Sequence, residues 1–194
     1  NNLIDVFEPV NKYVPEFKNL ENTTIYDLLK FRVKIVTDMR VDSAKNKNEA
    51  LQILYTAHPD KNQQVSNAYT DMGAMILRCV VEKVTDMTFD QFVNLMIFKK
   101  AHMDDTHLRV PEEKLYRVAN ENFSSVVLKD GSIKTNFNNI KGTPHDSKAI
   151  AIGELDGIAP GHAGYFSTKN DMIKFANALI NGGILSKESL FSMS

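Results

Sequence analysis

The amino-acid sequence predicts a mostly α-helical chain of the α+β class, with one small β-hairpin. Three observations predict it. Apolar residues recur at three- and four-residue spacing over residues 69–84, which is typical of one face of a helix. Two threonines, Thr24 and Thr88, are each followed three residues later by an acid or amide, the signature of a capped helix start. A β-branched stretch precedes a Lys129-Asp130-Gly131 turn, which indicates the hairpin.

The first half of the chain contains three predicted helices. Thr24 with Asp27 predicts a short helix, and residues 47–56 predict a second. The clearest helix covers residues 69–84, because its apolar positions lie along one face. The residues predicted to face the core are Met72, Gly73, Ile76, Leu77, Val80, Val81 and Val84.

The second half alternates between helix and irregular chain. Thr88 with Gln91 predicts a helix whose apolar stripe includes Phe89, Phe92, Val93 and Met96, and the methionines at 72, 75, 96 and 103 are interpreted as core residues. Residues 123–134 predict the hairpin, and residues 135–161, rich in Asn, Gly, Pro and Asp, predict a long loop. A last helix is predicted to open near Ser167 and to end at Gly182-Gly183, with its apolar residues on one side. Those residues are Met172, Ala176, Leu179 and Ile180.

Composition excludes several classes of function. Lys plus Arg (23) nearly balances Asp plus Glu (24), and the sequence pI is about 6.6, so no global field attracts nucleic acid. The sequence has no apolar run of about 18 residues and no leader pattern, which predicts no membrane segment in this chain. Cys79 is the single cysteine, so an intrachain disulfide and a cysteine-rich zinc site are excluded. Because the chain begins with Asn1 and ends on Leu-Phe-Ser-Met-Ser, we expect it to be part of something longer.

Several segments, in order, resemble one family of enzymes. YTDMGAMILRCVVEKVTDM (69–87) resembles the helix of serine β-lactamases and penicillin-binding proteins that opens with Tyr-x-Asn or Tyr-x-Asp and ends in Glu-Lys-Val-Thr-Gly. GTPHD (142–146) and GHAGYFST (161–168) are similar to segments of an esterase-like or carboxypeptidase-like branch of that family. The other similar segments are PVNKYVPEF (9–17), TIYDLLKF (24–31) and IFKKAHMDDT (97–106).

The resemblance implies a fold and a chemistry. Residues 1–194 would be the central helical portion of a β-lactamase/transpeptidase-like domain, with the flanking sheet strands and the nucleophile helix outside the chain. The whole protein would be an extracytoplasmic serine hydrolase acting on D-alanyl peptides, esters or β-lactams through an acyl-serine intermediate, without cofactor or metal. Its partners would be a small-molecule or peptidoglycan-peptide substrate and the missing parts of its own domain.

Departures from the family pattern are as informative as the matches. The chain has no Ser-x-x-Lys, and KFRVKI (30–35) replaces the family's Thr-His-Thr-Ser-Gly-Leu. His162-Ala163-Gly164 imitates the family's third motif, of the Lys-Thr-Gly or His-x-Gly type, but a predicted helix follows at once where that motif belongs on a strand, so we interpret this turn as a wall of the cleft and the third motif as absent. We therefore expect the isolated chain to be inactive. The alternative is a non-catalytic domain of the same fold that binds cell-wall peptide or a protein partner, because fold alone does not fix function.

The resemblance also implies roles for individual residues. Tyr69 would be the catalytic tyrosine, which acts as a base at neutral pH only where a nearby cation favours its phenolate. Asp71 would bind substrate or orient the family's lysine, or else it is an ordinary first-turn acid complementing the helix dipole. His145, His162 and Gly164 would line the substrate cleft, the alternative being a locally satisfied surface loop.

A second group of polar residues, His102, Asp104, Asp105 and His107, has the residue types of a metal site. Its spacing fits no common two-histidine helix motif, so we interpret it as a solvated loop.

Overall fold

The computed structural model describes residues 3–61, 69–120, 124–127, 132–136, 141–154 and 159–193. Helices dominate these ranges, as the sequence predicts. Three short helices precede the long one: α1 (Val10–Tyr13), α2 (Ile25–Leu29) and α3 (Lys47–Tyr55). The others are α4 (Asp71–Thr85), α5 (Phe89–Val93), α6 (Ser147–Glu154), α7 (Lys169–Ile180) and α8 (Lys187–Ser192). Single 3₁₀ segments cover Lys18–Leu20, Val41–Ser43 and Glu112–Arg117.

Helix α4 is the centre of the core. It packs against α1, α2 and α5, and its buried face includes Met75 and Ile76, which are almost inaccessible to solvent. The predicted helical spacing is confirmed, although Met75 and Cys79 are buried more deeply than Leu77 and Val84. Around α4 the largest fully buried side chains are those of Phe17, Leu20, Ile25, Leu28 and Ile35.

Both predicted capping boxes form. Thr24 Oγ1 accepts a hydrogen bond from the Asp27 backbone N–H at 3.0 Å, and Asp27 Oδ2 accepts one from the Thr24 N–H at 3.0 Å. Thr88 and Gln91 make the same reciprocal pair at the start of α5. Each box satisfies two N–H groups that a helix start otherwise leaves unpaired.

A π-helix over Asn94–Phe98 follows α5 directly. Because a π-helix has more residues per turn, later side chains lie on a different face from Phe89, Phe92 and Val93. Met96 is consequently 40% exposed, so its interpretation as a core residue is wrong, whereas Met72, Met75 and Met103 are buried as predicted.

Two small antiparallel sheets are present in the described ranges. The predicted hairpin is confirmed as β3 (Ser124–Val127) paired with β4 (Ile133–Asn136), with its predicted Lys129-Asp130-Gly131 turn outside the described residues. The second sheet pairs β1 (Ile35–Val36) with β2 (His58–Pro59), which the sequence did not indicate. It fixes the end of the KFRVKI segment beside the start of α4.

Helix α6 corrects the prediction of an unbroken loop over residues 135–161. Asp146 starts the helix, since its Oδ1 accepts a hydrogen bond from the Ala149 N–H at 2.8 Å. Ala149, Ile150 and Ile152 are buried, and this burial stabilises the helix. The preceding Gly142 and Pro144 are typical of loops, so the helix is hard to recognise in the sequence.

Helix α7 begins after Thr168, whose Oγ1 accepts from the Asp171 N–H at 3.1 Å, and it ends before Gly182, which has a left-handed φ of 76°. This confirms the predicted helix and its stop signal. Its predicted apolar side is largely open, because Met172 is 50% and Ile180 65% exposed.

The segment with His102, Asp104, Asp105 and His107 is a turn-rich connection held by charge pairs. The Arg117 guanidinium donates two hydrogen bonds of 3.0 Å to the Asp105 carboxylate, and Lys114 Nζ lies 2.8 Å from the same group. These hydrogen bonds hold the pKa of Asp105 far below its ordinary value. Buried Asp171 accepts from the Asp105 N–H at 2.7 Å and ties the segment to α7.

No helix within the described ranges combines the length and apolar character needed to cross a membrane.

Candidate active site

The cap of α4 positions Tyr69 and Asp71. Thr70 lies between them with extended backbone, and its Oγ1 accepts a hydrogen bond from the Met72 N–H at 3.2 Å. The same hydroxyl donates to the Ile35 carbonyl of β1 at 3.0 Å. One residue therefore caps the helix and joins it to the first sheet. Tyr69 and Asp71, the residues on either side of Thr70, are thereby held at the edge of a groove.

This groove, which we call the Tyr69 groove, has a volume of about 550 Å³. One wall is the chain from Lys34 to Val41, the other is the start of α4, and Lys148 of α6 also lines it. Tyr69 is 65% exposed there, and its ring lies 5.4 Å from that of Phe31 between centroids. The predicted helix start is thus confirmed to within two residues, and Tyr69 stands at an open surface.

Two carboxylates raise the pKa of the Tyr69 phenol. A hydrogen bond to Asp71, together with partial burial and the charge of Asp146, raises the pKa of Tyr69 above its ordinary value. A phenol with a raised pKa keeps its proton at neutral pH and donates it in a hydrogen bond. Within this chain, therefore, the protonated Tyr69 hydroxyl donates its hydrogen bond to Asp71.

Asp71 is held as an anion. Lys148 Nζ lies 2.9 Å from Asp71 Oδ2, and both side chains are mostly buried. Burial acts to raise the pKa of Asp71, but the hydrogen bonds from Lys148 and Tyr69 outweigh it, so that the pKa lies below the ordinary value. Sequence reasoning missed Lys148 because it lies in the region predicted as loop. The signal that could have revealed helix α6, though not the contact of Lys148 with Asp71, is Asp146, a residue type that favours the N-cap position.

Asp146 and His162 form the layer behind Asp71. His162 Nε2 lies 2.8 Å from Asp146 Oδ1, and the His162 side chain is only 2% exposed. Since Nε2 faces a carboxylate, we assign the proton of the neutral ring to Nε2, which leaves Nδ1 as an acceptor. Nδ1 is buried and has no hydrogen-bond partner among the described residues. The His162 side chain is thus buried against Asp146 and is not among the described residues that line the Tyr69 groove.

Gly161 allows His162 this position. Its φ of 98° lies in the region that favours glycine. A Cβ at Gly161 would come within 2.9 Å of Arg78 Cβ and 3.0 Å of the Ala74 carbonyl oxygen on α4. The turn before His162 is therefore pressed directly against the helix that carries Asp71.

Asp71, Asp146 and His162 are a group whose candidate ligand atoms all lie within 4.8 Å of one another. Such residue types can hold a divalent cation. Here, however, Lys148 already places an ammonium on Asp71, and Asp146 already pairs with the ring nitrogen of His162. Both carboxylates thus already have hydrogen-bond partners, and we assign no metal to the group.

The structure divides the five predicted site residues. Tyr69 and Asp71 line the groove, and His162 lies behind them in contact with Asp146. His145 is exposed at the turn before α6. Gly164, with a φ of 105°, lines a separate cavity of about 260 Å³ together with residues 142–144. Tyr69 and His162 are thus on the same side of the domain, joined through Asp71 and Asp146.

Comparisons with known proteins identify a family and several relatives. The family described as Beta-lactamase matches residues 1–194. An N-acetylmuramyl-L-alanine amidase of Bacillus subtilis is 26% identical over 97% of this chain and 46% of its own length. A putative D-alanyl-D-alanine carboxypeptidase of Salmonella gallinarum is 25% identical over 97% of this chain and 48% of its own length. The chain thus spans about half the length of these relatives.

Solved structures show the same fold. FmtA of Staphylococcus aureus superposes with a TM-score of 0.70 at 17% identity, over 97% of this chain and 48% of that chain. A D-amino acid amidase of Ochrobactrum anthropi superposes with a TM-score of 0.63 at 19% identity, over 97% of this chain and 51% of that chain. These likenesses support the prediction of a helical portion of a β-lactamase-like domain. The family match over its whole length shows that the chain belongs to the beta-lactamase family.

Proposed function

We propose that this chain forms one part of an extracytoplasmic serine hydrolase acting on a D-alanyl peptide, ester or β-lactam carbonyl. The observation that carries the proposal is the Tyr69–Asp71–Lys148 network at the start of α4, on the edge of an open groove. Family membership and relatives named as a carboxypeptidase and an amidase support the reaction class.

In the proposed reaction the nucleophilic serine lies outside this chain. Its oxygen bonds to the substrate carbonyl carbon, the serine proton passes to a base, and the bond from that carbon to the leaving nitrogen or oxygen breaks. The leaving group receives a proton in that step. Water then attacks the acyl-serine, which releases the acid and restores the serine hydroxyl.

Tyr69 suits the protonation step. Its raised pKa keeps the phenol protonated, so it can donate to a leaving nitrogen or oxygen in the groove. To act as a base as well, it needs a cation on the phenol side, because among the described residues the charged groups that act on its pKa are the carboxylates of Asp71 and Asp146. That cation would be the lysine of a Ser-x-x-Lys motif carried elsewhere in the protein.

The test is acylation of the complete protein by a fluorescent penicillin, followed by peptide mapping of the labelled residue. We expect one labelled serine, followed three residues later by lysine, together with hydrolysis of a D-alanyl peptide or a p-nitrophenyl ester. A complete protein that binds cell-wall peptide but forms no adduct and hydrolyses neither substrate would contradict the proposal and favour a binding domain.

A further inference from the structure

Lys148 reaches the Tyr69 groove from a different helix than the one that carries its partner Asp71. It is the second residue of α6, and its ammonium reaches Asp71 on α4 across 77 positions of sequence. The side chains of Lys148 and Asp71 are 23% and 22% exposed, so the pair is shielded from solvent. A shielded pair is screened less by salt than a surface pair.

The charges around Asp71 explain why a cation is needed there. Asp71 faces Lys148 from α6, the Tyr69 phenol from the segment before α4, and Asp146 and His162 from the segments flanking α6. Asp71 and Asp146 are two carboxylates in one small space, and two such groups cannot both ionise easily without a neighbouring cation. Arg40 also lines the groove, but its guanidinium is bound to Asp42 at 2.7 Å.

Resting on the proposed function, we propose that Lys148 is a positioning residue of this active site, which holds Asp71 as an anion and offsets the effect of its charge on Tyr69. The opposite charges of Asp71 and Lys148 then cancel, so the pair beside Tyr69 has no net charge. Lys148 acts through Asp71 and does not move a proton itself.

The pairing has two consequences for Tyr69. With Lys148 present, Asp71 stays ionised and accepts the phenol proton in a hydrogen bond, which fixes the direction of the hydroxyl. With Lys148 removed, Asp71 either takes up a proton and can itself donate, or stays charged and raises the pKa of Tyr69 further. In both cases the phenol is poorly prepared for proton transfer, while the groove keeps its shape.

The first test uses this chain and needs no activity. Titration of the Asp71 carboxyl carbon by NMR in the wild type and in Lys148→Met should show the protonation midpoint of Asp71 rising by at least about one pH unit, a tenfold change in its protonation constant. Lys12→Met is the matched control, because it removes a lysine from an exposed pair with Glu8. An Asp71 midpoint that is the same in Lys148→Met and Lys12→Met would overturn the proposal.

The second test uses the complete protein. Lys148→Met should lower the acylation rate constant by about 10- to 100-fold, with little change in KM, the pattern expected when proton transfer is impaired. The double variant Asp71→Asn/Lys148→Met restores a neutral pair and should acylate faster than Lys148→Met alone. Effects of the two substitutions that simply multiply would overturn the pairing. If the wild type itself forms no adduct, the proposed function fails, and the Asp71 titration still decides whether the pair exists.

Discussion

His162 Nε2 lies 2.8 Å from Asp146 Oδ1, and this contact links the turn at residues 161–164 to the start of α6. The hydrogen bond from His162 lowers the pKa of Asp146 to about 2, although burial acts in the opposite direction. An aspartate in an unfolded chain has a pKa of about 3.9. The native state therefore binds this proton less readily than the unfolded state does.

The sign of the resulting pH dependence follows from linkage. Because the pKa of Asp146 is depressed in the folded chain, its contribution to stability is fully present above pH 4 and is lost as pH falls towards 2. A third of the Asp146 side chain is exposed, so after solvent screening we expect about 1 kcal/mol.

Urea unfolding between pH 5 and 2.5 measures this contribution. The stability difference between wild type and Asp146→Asn should shrink as pH falls. Asp86→Asn, which changes an exposed aspartate at the end of α4, is the control. A pH-independent difference for Asp146→Asn would contradict the assignment.

Replacing Tyr69 by Phe in the complete protein should lower the acylation rate by about 100- to 10,000-fold while the fold is kept, because only a positioned hydroxyl is removed. Tyr116→Phe is the control, since Tyr116 is 78% exposed and lies outside the groove. Stopped-flow measurement of adduct formation compares the two. Near-normal acylation by Tyr69→Phe would leave Tyr69 with a structural role alone.

The isolated chain should form no covalent adduct with a fluorescent penicillin. Its eleven serines all lack a lysine three residues later, and an unassisted hydroxyl is a weak nucleophile at neutral pH. Intact-protein mass spectrometry after incubation tests this. A stoichiometric adduct that is lost when the chain is denatured before labelling would identify a different serine site.

Gly161→Ala should destabilise the chain by roughly 2–4 kcal/mol, since an added Cβ meets α4 backbone at 3.0 Å in a left-handed conformation. Gly73→Ala is the matched control. There the added Cβ finds its nearest neighbour at 3.7 Å, and alanine favours the helix by up to about 1 kcal/mol. Chemical denaturation of both variants gives the comparison. Equal stability of the two variants would show that the turn before His162 tolerates a side chain.

Local signals account for the parts of the fold that the sequence predicted. Thr24 with Asp27, and Thr88 with Gln91, interact over three residues, so their pattern is visible without tertiary structure. The π-helix at Asn94–Phe98 has no comparable signal, and the burial of Met96 was therefore predicted wrongly. Helix α6 was missed because its stability depends on burial of Ala149 and Ile152 against distant segments.

The site was predictable only in part, for the same reason. Tyr69 and Asp71 were predicted as site residues because they open a helix within a recognisable motif, and both line the groove. Lys148 joins them from 77 residues away, a contact that depends on how α6 packs and that no local pattern encodes. His162 was predicted from the resemblance as a cleft residue, but its contact with Asp146 is visible only in the three-dimensional structure.

Because Cys79 is buried, its rate of modification by a thiol reagent measures how often the core opens. This lone thiol lies on the inner face of α4, and burial raises its pKa to about 11, so the thiolate that reacts with alkylating reagents is scarce in the native state. Modification must wait until α4 separates from its neighbours. The rate at which a thiol reagent consumes Cys79 therefore reports how often the helix that carries Asp71 is released.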